Sequence, residues 1–276
     1  MLAGVINGFF SEKVMSDIQM LGEGKDIQLD IRTYPADDLN GILNRGEADC
    51  LLSPLEKLPV NMPEGIAIAA LTGGAQRGYC LVCHPGTLDN ARPLFLKAAA
   101  RVGVEEQLIA VQIAGYRPDI LLTTGVDSSD LPDRWKQLSL DAIAIPSMSY
   151  ELVKDNFGPH EMIPLHPREV IPSPGFGVTA YLALISNIHI RKTLQTIHDP
   201  GIGALTNVER KILKLLPAPP EALLGVYCER PRAGQYQVRA FYQLPGSEAP
   251  IRVSFSSATT FELAEMVVGE IQNKVL

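Results

Sequence analysis

Apolar and polar residues alternate with two different periods along this chain. Short apolar or alternating runs, which are typical of strands, occur at residues 5–10, 26–32, 78–83, 108–113, 120–124, 141–145 and 178–185. Between them, apolar residues at helical spacing predict helices at residues 11–21, 36–44, 91–102, 131–138 and 147–153. Strands that alternate with helices are typical of α/β proteins with parallel sheets and covering helices.

The pattern changes in the last third of the chain. Two helices are predicted at residues 207–216 and 261–274, and three alternating strands at residues 224–229, 236–242 and 251–256. This pattern predicts a small C-terminal α+β domain with three antiparallel strands. We therefore expect three domains, formed by residues 1–84 with 170–195, by residues 85–169, and by residues 196–276.

A buried strand at Cys50–Leu52 ends in a polar loop that contains Ser53, Glu56 and Lys57. In open α/β sheets, ligands bind at the carboxyl ends of the strands, so this loop is the first candidate for a ligand contact. A solvated loop with a weak Glu–Lys pair is the plainer alternative. The other polar residues that follow predicted strands, and so are further ligand candidates or ordinary turn residues, are Asn7, Thr124, Ser128 and Ser129.

Composition and charge exclude several classes of protein. The net charge is −7 and no basic run is interleaved with aromatic residues, which disfavours nucleic-acid binding. No apolar run reaches the length of a membrane span. The first residues lack a basic stretch, and four cysteines in a chain of this size suggest reduced thiols. We expect a cytoplasmic protein with no membrane partner.

The segment Cys80-Leu-Val-Cys83-His84 matches the pattern of c-type haem attachment. The same residues also form a predicted strand, and positions three apart on a strand point to opposite faces. We therefore favour a structural strand, with thiol redox chemistry or zinc binding as lesser alternatives. The five histidines show no metal-binding spacing, so we expect no metal site.

Several segments, taken in order, resemble the hydroxymethylbilane synthase (porphobilinogen deaminase) family of haem biosynthesis. They are Gly46-Glu-Ala-Asp49, Leu58-Pro59, Pro63-Glu-Gly65, Tyr116-Arg-Pro-Asp119, Asp141-Ala-Ile-Ala144, Pro172-Ser-Pro-Gly-Phe-Gly177, Val208-Glu-Arg210 and Leu224-Gly-Val-Tyr227. The resemblance implies two α/β domains like those of periplasmic binding proteins, with a ligand cleft between them, and a small α+β domain.

The chain departs from the family pattern at the positions that carry its chemistry. The resemblance puts Lys57 at the catalytic aspartate and Pro220 at the cysteine that holds the dipyrromethane cofactor. Leu108-Ile109 and the arginine-free stretch 123–132 replace arginines that bind substrate carboxylates in the family. We therefore expect no dipyrromethane cofactor.

These departures leave three functions open. The first is a tetrapyrrole-type family member that does not polymerise porphobilinogen and binds a small, pyrrole-like molecule in the cleft. The second is an active porphobilinogen deaminase-type transferase with altered chemistry at Ser53, Glu56 and Lys57. The third is a structural or partner-binding pseudoenzyme. The sequence leaves the oligomeric state open.

Overall fold

A computed structural model describes residues 2–6, 30–35, 38–73, 77–126, 135, 137–216, 219, 221–231, 234–247 and 249–275. Its strands are β1 Leu2–Ile6, β2 Asp30–Tyr34, β3 Cys50–Pro54, β4 Ile66–Gly73, β5 Tyr79–Cys83, β6 Arg101–Val104, β7 Leu121–Thr124, β8 Ala142–Pro146, β9 Glu161–Pro164, β10 Val178–Leu184, β11 Leu223–Glu229, β12 Tyr236–Gln243 and β13 Ile251–Ser257. Its helices are α1 Leu39–Asn44, α2 Gln107–Tyr116, α3 Ser147–Val153, α4 Ile188–Gln195, α5 Pro200–Leu215 and α6 Leu263–Val275.

The chain forms two compact units, Met1–Ala75 with Gly175–Arg210, and Gln76–Pro174 with Lys211–Leu276. The three-domain division expected from the sequence stays a prediction. Among the described residues, no helix combines the length and the apolar character that crossing a membrane would require.

The first unit is built on a five-stranded sheet with the order β2-β1-β3-β10-β4. Strand β1 runs parallel to β2 and β3, whereas β10 is antiparallel to both β3 and β4. The carboxyl ends of β1, β2, β3 and β4 therefore share one edge of the sheet. Strand β3 is buried from Cys50 to Ser53, as expected for a central strand that is covered on both faces.

The second unit contains another five-stranded mixed sheet, with the order β7-β6-β8-β5-β9. Strand β6 runs parallel to β7 and β8, whereas β5 is antiparallel to β8 and β9. Strand β5 is buried along its whole length. The two mixed sheets and their helices confirm the predicted α/β class.

The second unit also holds the predicted C-terminal sheet, which is antiparallel with the order β11-β12-β13. Segment 171–172 bonds to α2 in one part of this unit and to β11 in the other. The amide of Gln112, which is fully buried, accepts from Ile171 N–H and donates to Ile171 C=O, each at 2.8 Å. Val226 N–H of β11 donates to the carbonyl of Pro172 at 2.8 Å. Segment 171–172 is therefore bonded on both sides.

Two sequence predictions in the second unit are wrong. Residues 91–102 were expected to form a helix, but they form a short turn at Pro93–Phe95 and then enter β6. Residues 108–113 were expected to form a strand, but they lie in α2. The first segment contains three non-glycine residues with positive φ, Leu94, Phe95 and Ala99, which a regular helix excludes.

Candidate functional site

The loop that follows β3 lies at the carboxyl edge of the first sheet and begins with the turn Leu55–Lys57. Ser53 is buried, and its hydroxyl donates to the carbonyl of Pro54 at 3.2 Å. Glu56 is half-buried and Lys57 is exposed. These three predicted residues thus lie on one strand end, but only Lys57 is presented openly to solvent.

Arg210 of α5 fixes this loop. Its two terminal nitrogens donate to four carbonyls, those of Leu55 at 3.2 Å, Leu58 at 3.4 Å, Pro59 at 2.6 Å and Val60 at 3.3 Å. Burial lowers the pKa of the Arg210 guanidinium from its usual value. A loop held by one guanidinium is pre-organised, because little conformational entropy remains to be lost when a ligand binds.

The residue before Arg210 supports the same loop from another side. The carboxylate of Glu209, which is fully buried, accepts from Gly175 N–H at 2.7 Å. Gly175 has φ of +83°, and a Cβ there would lie 3.0 Å from Leu55 Cγ. Glycine is therefore required at this position for its backbone conformation and for its lack of a side chain. The sequence indicated Val208-Glu-Arg210 only as a segment that resembles the family pattern. The role of Arg210 depends on residues about 150 positions away in the sequence.

The other predicted site residues are not brought to this loop by any described contact. Thr124 is exposed at the carboxyl end of β7, in the second unit. Asn7, Ser128, Ser129 and the cofactor position Pro220 lie outside the described residues. Their proposed roles therefore stay predictions.

The Arg-Pro-Asp segment of the second unit forms a structural network. Arg117 is 3% exposed and donates to both carboxylate oxygens of Asp119, at 2.7 and 2.9 Å. It also donates to the carbonyls of Pro93, Leu96 and Lys97 at 2.7 to 2.9 Å. The guanidinium has five N–H donors, and this network uses all of them, so it fixes the segment that contains the positive-φ residues.

The four cysteines are free and buried. Cys80 packs among apolar residues of one core cluster, and burial raises the pKa of the Cys80 and Cys83 thiols to about 12. Buried thiols of raised pKa are inert, which supports the interpretation of Cys80–Cys83 as a structural strand. Among the described residues, no three His, Cys, Asp or Glu side chains are placed to bind a metal together.

Solved structures with some similarity to this chain include substrate-binding proteins. One is an arginine-bound substrate-binding protein of an amino acid ABC transporter from Streptococcus pneumoniae, with a TM-score of 0.42 and 11% identity over 71% of this chain and 85% of the other. Another is an arginine-specific periplasmic binding protein from Salmonella typhimurium, with a TM-score of 0.44 and 9% identity over 76% and 96%. Similarity at this level carries no information about a ligand.

The comparison with curated proteins is more informative than that with solved structures. The chain is 23% identical over 212 residues to the porphobilinogen deaminase of Sulfurimonas denitrificans, covering 76% of this chain and 66% of that one. It is 22% identical over 261 residues to the porphobilinogen deaminase of Fusobacterium nucleatum, covering 94% and 84%. It is also 25% identical over 189 residues to that of Rubrobacter xylanophilus, covering 68% and 60%. The chain is thus similar to porphobilinogen deaminases at low identity.

Two further findings bear on this similarity. The matched region spans 60 to 66% of the length of the relatives from Rubrobacter xylanophilus, Streptomyces avermitilis and Sulfurimonas denitrificans. No family model matches the chain.

Proposed function

We propose that this chain is a divergent porphobilinogen deaminase-type protein that binds a pyrrole-like carboxylic acid and does not polymerise porphobilinogen. The observation that carries the proposal is the fixed loop after β3, which presents Lys57 to solvent at the position of the family's catalytic aspartate. Similarity to curated porphobilinogen deaminases over up to 94% of the chain supports the relationship.

Lys57 changes what this strand end does chemically. A carboxylate accepts hydrogen bonds and protons, whereas an ammonium group has three donors and no acceptor. The proposed role of Lys57 is therefore to donate to a ligand carboxylate, and general acid catalysis by an aspartate is absent. The loop keeps its shape because Arg210 bonds to its carbonyls and Glu209 bonds to Gly175 N–H beside it. Ligand binding therefore does not depend on the catalytic aspartate.

The cofactor position supports the same conclusion. Proline has no nucleophile, so Pro220 forms no thioether with a dipyrromethane. Cys228, eight residues further on, is fully buried within β11, which keeps its sulfur away from a cofactor. The proposed protein therefore works without a covalent dipyrrole.

Two measurements on the purified full chain test the proposal. We expect no consumption of porphobilinogen and an intact mass equal to that of the polypeptide. We also expect porphobilinogen to raise the melting temperature. Turnover together with a mass increase of one dipyrrole would establish an active transferase, whereas no turnover and no thermal shift would favour a structural or partner-binding protein.

Lys57→Gln tests the assigned residue. An exposed ion pair contributes at most about 1 kcal/mol, so the affinity for porphobilinogen should fall by up to about fivefold. Lys214→Gln is the matched control, because Lys214 is also exposed but lies on α5. Equal affinities of the two variants would remove Lys57 from the proposed site.

A further inference from the structure

The first unit contains a cavity that has a volume of about 460 Å³ and lies between β4 and helix α5. Its size falls within the range of small-molecule sites, roughly 300 to 1,000 Å³. The wall formed by β4 is apolar, from Ile68 to Leu71. On α5, the lining residues Gly203, Thr206 and Arg210 occur at helical spacing and form one face.

One end of the cavity carries an oriented donor. His198 Nδ1 accepts from Leu71 N–H at 3.0 Å, so in the neutral ring the proton resides on Nε2. The ring packs over Gly203, where a Cβ would lie 3.0 Å from His198 Cε1. Asp199 N–H also donates to Leu71 C=O at 2.9 Å. Both backbone groups of Leu71 on the edge strand β4 are therefore bonded to residues 198–199, which fixes the His198 ring against the strand.

Arg210 supplies a second donor. Its four terminal N–H groups are used by the loop carbonyls, and a guanidinium has five N–H donors, which leaves Nε–H for the cavity. The four hydrogen bonds of Arg210 all go to neutral carbonyls. A half-buried guanidinium with such partners keeps its positive charge and favours an anion.

The other residues that line the cavity are compatible with an anionic ligand. The other polar side chains are Gln195, Thr206 and Asn207, and no described Asp or Glu lines the cavity. Thr206 donates its hydroxyl to Ile202 C=O at 2.8 Å and so stays within its own helix. The cavity therefore combines apolar walls with one guanidinium, one imidazole N–H and two amides.

We propose that this cavity binds a small carboxylic acid with an apolar body, with the carboxylate held by Arg210 Nε–H and His198 Nε2–H. The apolar body lies against Ile68–Leu71. The cavity shares Leu55 and Arg210 with the Lys57 loop, but its occupancy does not depend on the function proposed above. Charge-assisted hydrogen bonds of this kind are about twice as strong as neutral ones, so a neutral ligand of the same shape binds more weakly.

Calorimetric titration of the full chain with 4-phenylbutyrate and with octanoate tests the proposal, and 4-phenylbutan-1-ol is the neutral control. We expect both carboxylates to bind and to shift the ring ¹⁵N signals of one histidine. The signals of that histidine should be absent from the spectrum of His198→Asn. The alcohol should bind at least about tenfold more weakly. Absence of binding by both carboxylates, or equal binding of the alcohol, overturns the proposal.

Three variants localise the site. His198→Asn keeps an acceptor for Leu71 N–H, but its shorter amide does not place a donor at the Nε2 position. Arg210→Lys keeps the charge but removes Nε–H together with guanidinium bonds to the loop. Each should lower affinity for 4-phenylbutyrate by about tenfold. Ala204→Leu keeps both donors and fills the cavity, so it should abolish binding while the melting temperature stays near that of the wild type.

Lys192→Gln is the matched control, because Lys192 is exposed on the neighbouring helix α4 and does not line the cavity. Its affinity should equal that of the wild type. A loss as large as those of His198→Asn and Arg210→Lys, or unchanged binding in Ala204→Leu, would show that the carboxylate binds elsewhere.

Discussion

Replacement of Arg210 by methionine removes the guanidinium while the apolar stem stays in place. The side chain makes four hydrogen bonds to carbonyls of residues 55–60. The Pro59 carbonyl is exposed and is solvated by water when the bond is lost, whereas the other three bonds are part-buried. At a net contribution of about 1 kcal/mol for each part-buried bond, the free energy of unfolding should fall by about 3 kcal/mol.

Urea denaturation of Arg210→Met and of the wild type measures this difference, provided that m is unchanged. Lys214→Met is the control, because Lys214 is exposed one turn further along the same helix, and surface substitutions of this kind stay within about 0.5 kcal/mol. Amide exchange should also quicken at residues 55–60. If Arg210→Met unfolds at the same urea concentration as Lys214→Met, the guanidinium does not hold the loop.

Three further predictions concern the second unit and the thiols. Gly225→Ala places a Cβ 2.6 Å from the Ile171 carbonyl oxygen and should lower the unfolding free energy by about 2 kcal/mol. Gly269→Ala, where the Cβ would have nothing within 4 Å, should raise it by up to about 1 kcal/mol. Equal unfolding free energies of the two variants would contradict the clash. Arg117 lowers the pKa of Asp119, so the carboxylate contributes stability that is fully present above its unfolded pKa of about 3.9 and is lost as the pH falls further. Asp119→Asn should therefore reduce the loss of stability with falling pH below about pH 4. A loss as steep as that of the wild type would contradict this. The four buried thiols should react with Ellman's reagent at pH 8 only after unfolding, and rapid reaction of the native protein would refute their burial.

The sequence predicted most of the sheet framework. The helix expected at residues 147–153 coincides with α3, and the three C-terminal strands differ from β11, β12 and β13 by one residue at most at each end. These elements carry strong local signals, since a proline precedes α3 and turn residues separate the strands. Their local preferences agree with the packing that the fold imposes.

The failures have a tertiary cause. Residues 91–102 contain Ala, Leu and Lys, which favour helix, but Arg117 binds three carbonyls of this segment and holds it in a turn. Residues 108–113 form a short apolar run, and periodicity alone does not separate a buried strand from a buried helix in such a run. Gln112, the one polar residue of that run, is buried and bonds to Ile171, and it was the available sign of a polar partner elsewhere in the fold.

The sequence indicated the end of β3 as a candidate site from the general rule for open α/β sheets, and it indicated Lys57 from the resemblance. Both stay predictions. The role of Arg210 was not predictable, because its four acceptors lie about 150 residues away and are backbone atoms whose position depends on the folded loop. Side chains that bond to backbone carbonyls leave no pattern in a single sequence.

The network around Arg117 has a consequence for how such chains diverge. All five of its donors are used by Asp119 and by the carbonyls of residues 93, 96 and 97, so selection for folding alone is enough to retain the Arg-Pro-Asp motif. A duplicated copy that loses an enzymatic activity would keep this motif for as long as it folds, while its acid and cofactor positions drift. Among related chains, the motif is therefore evidence of shared architecture and not of a shared activity.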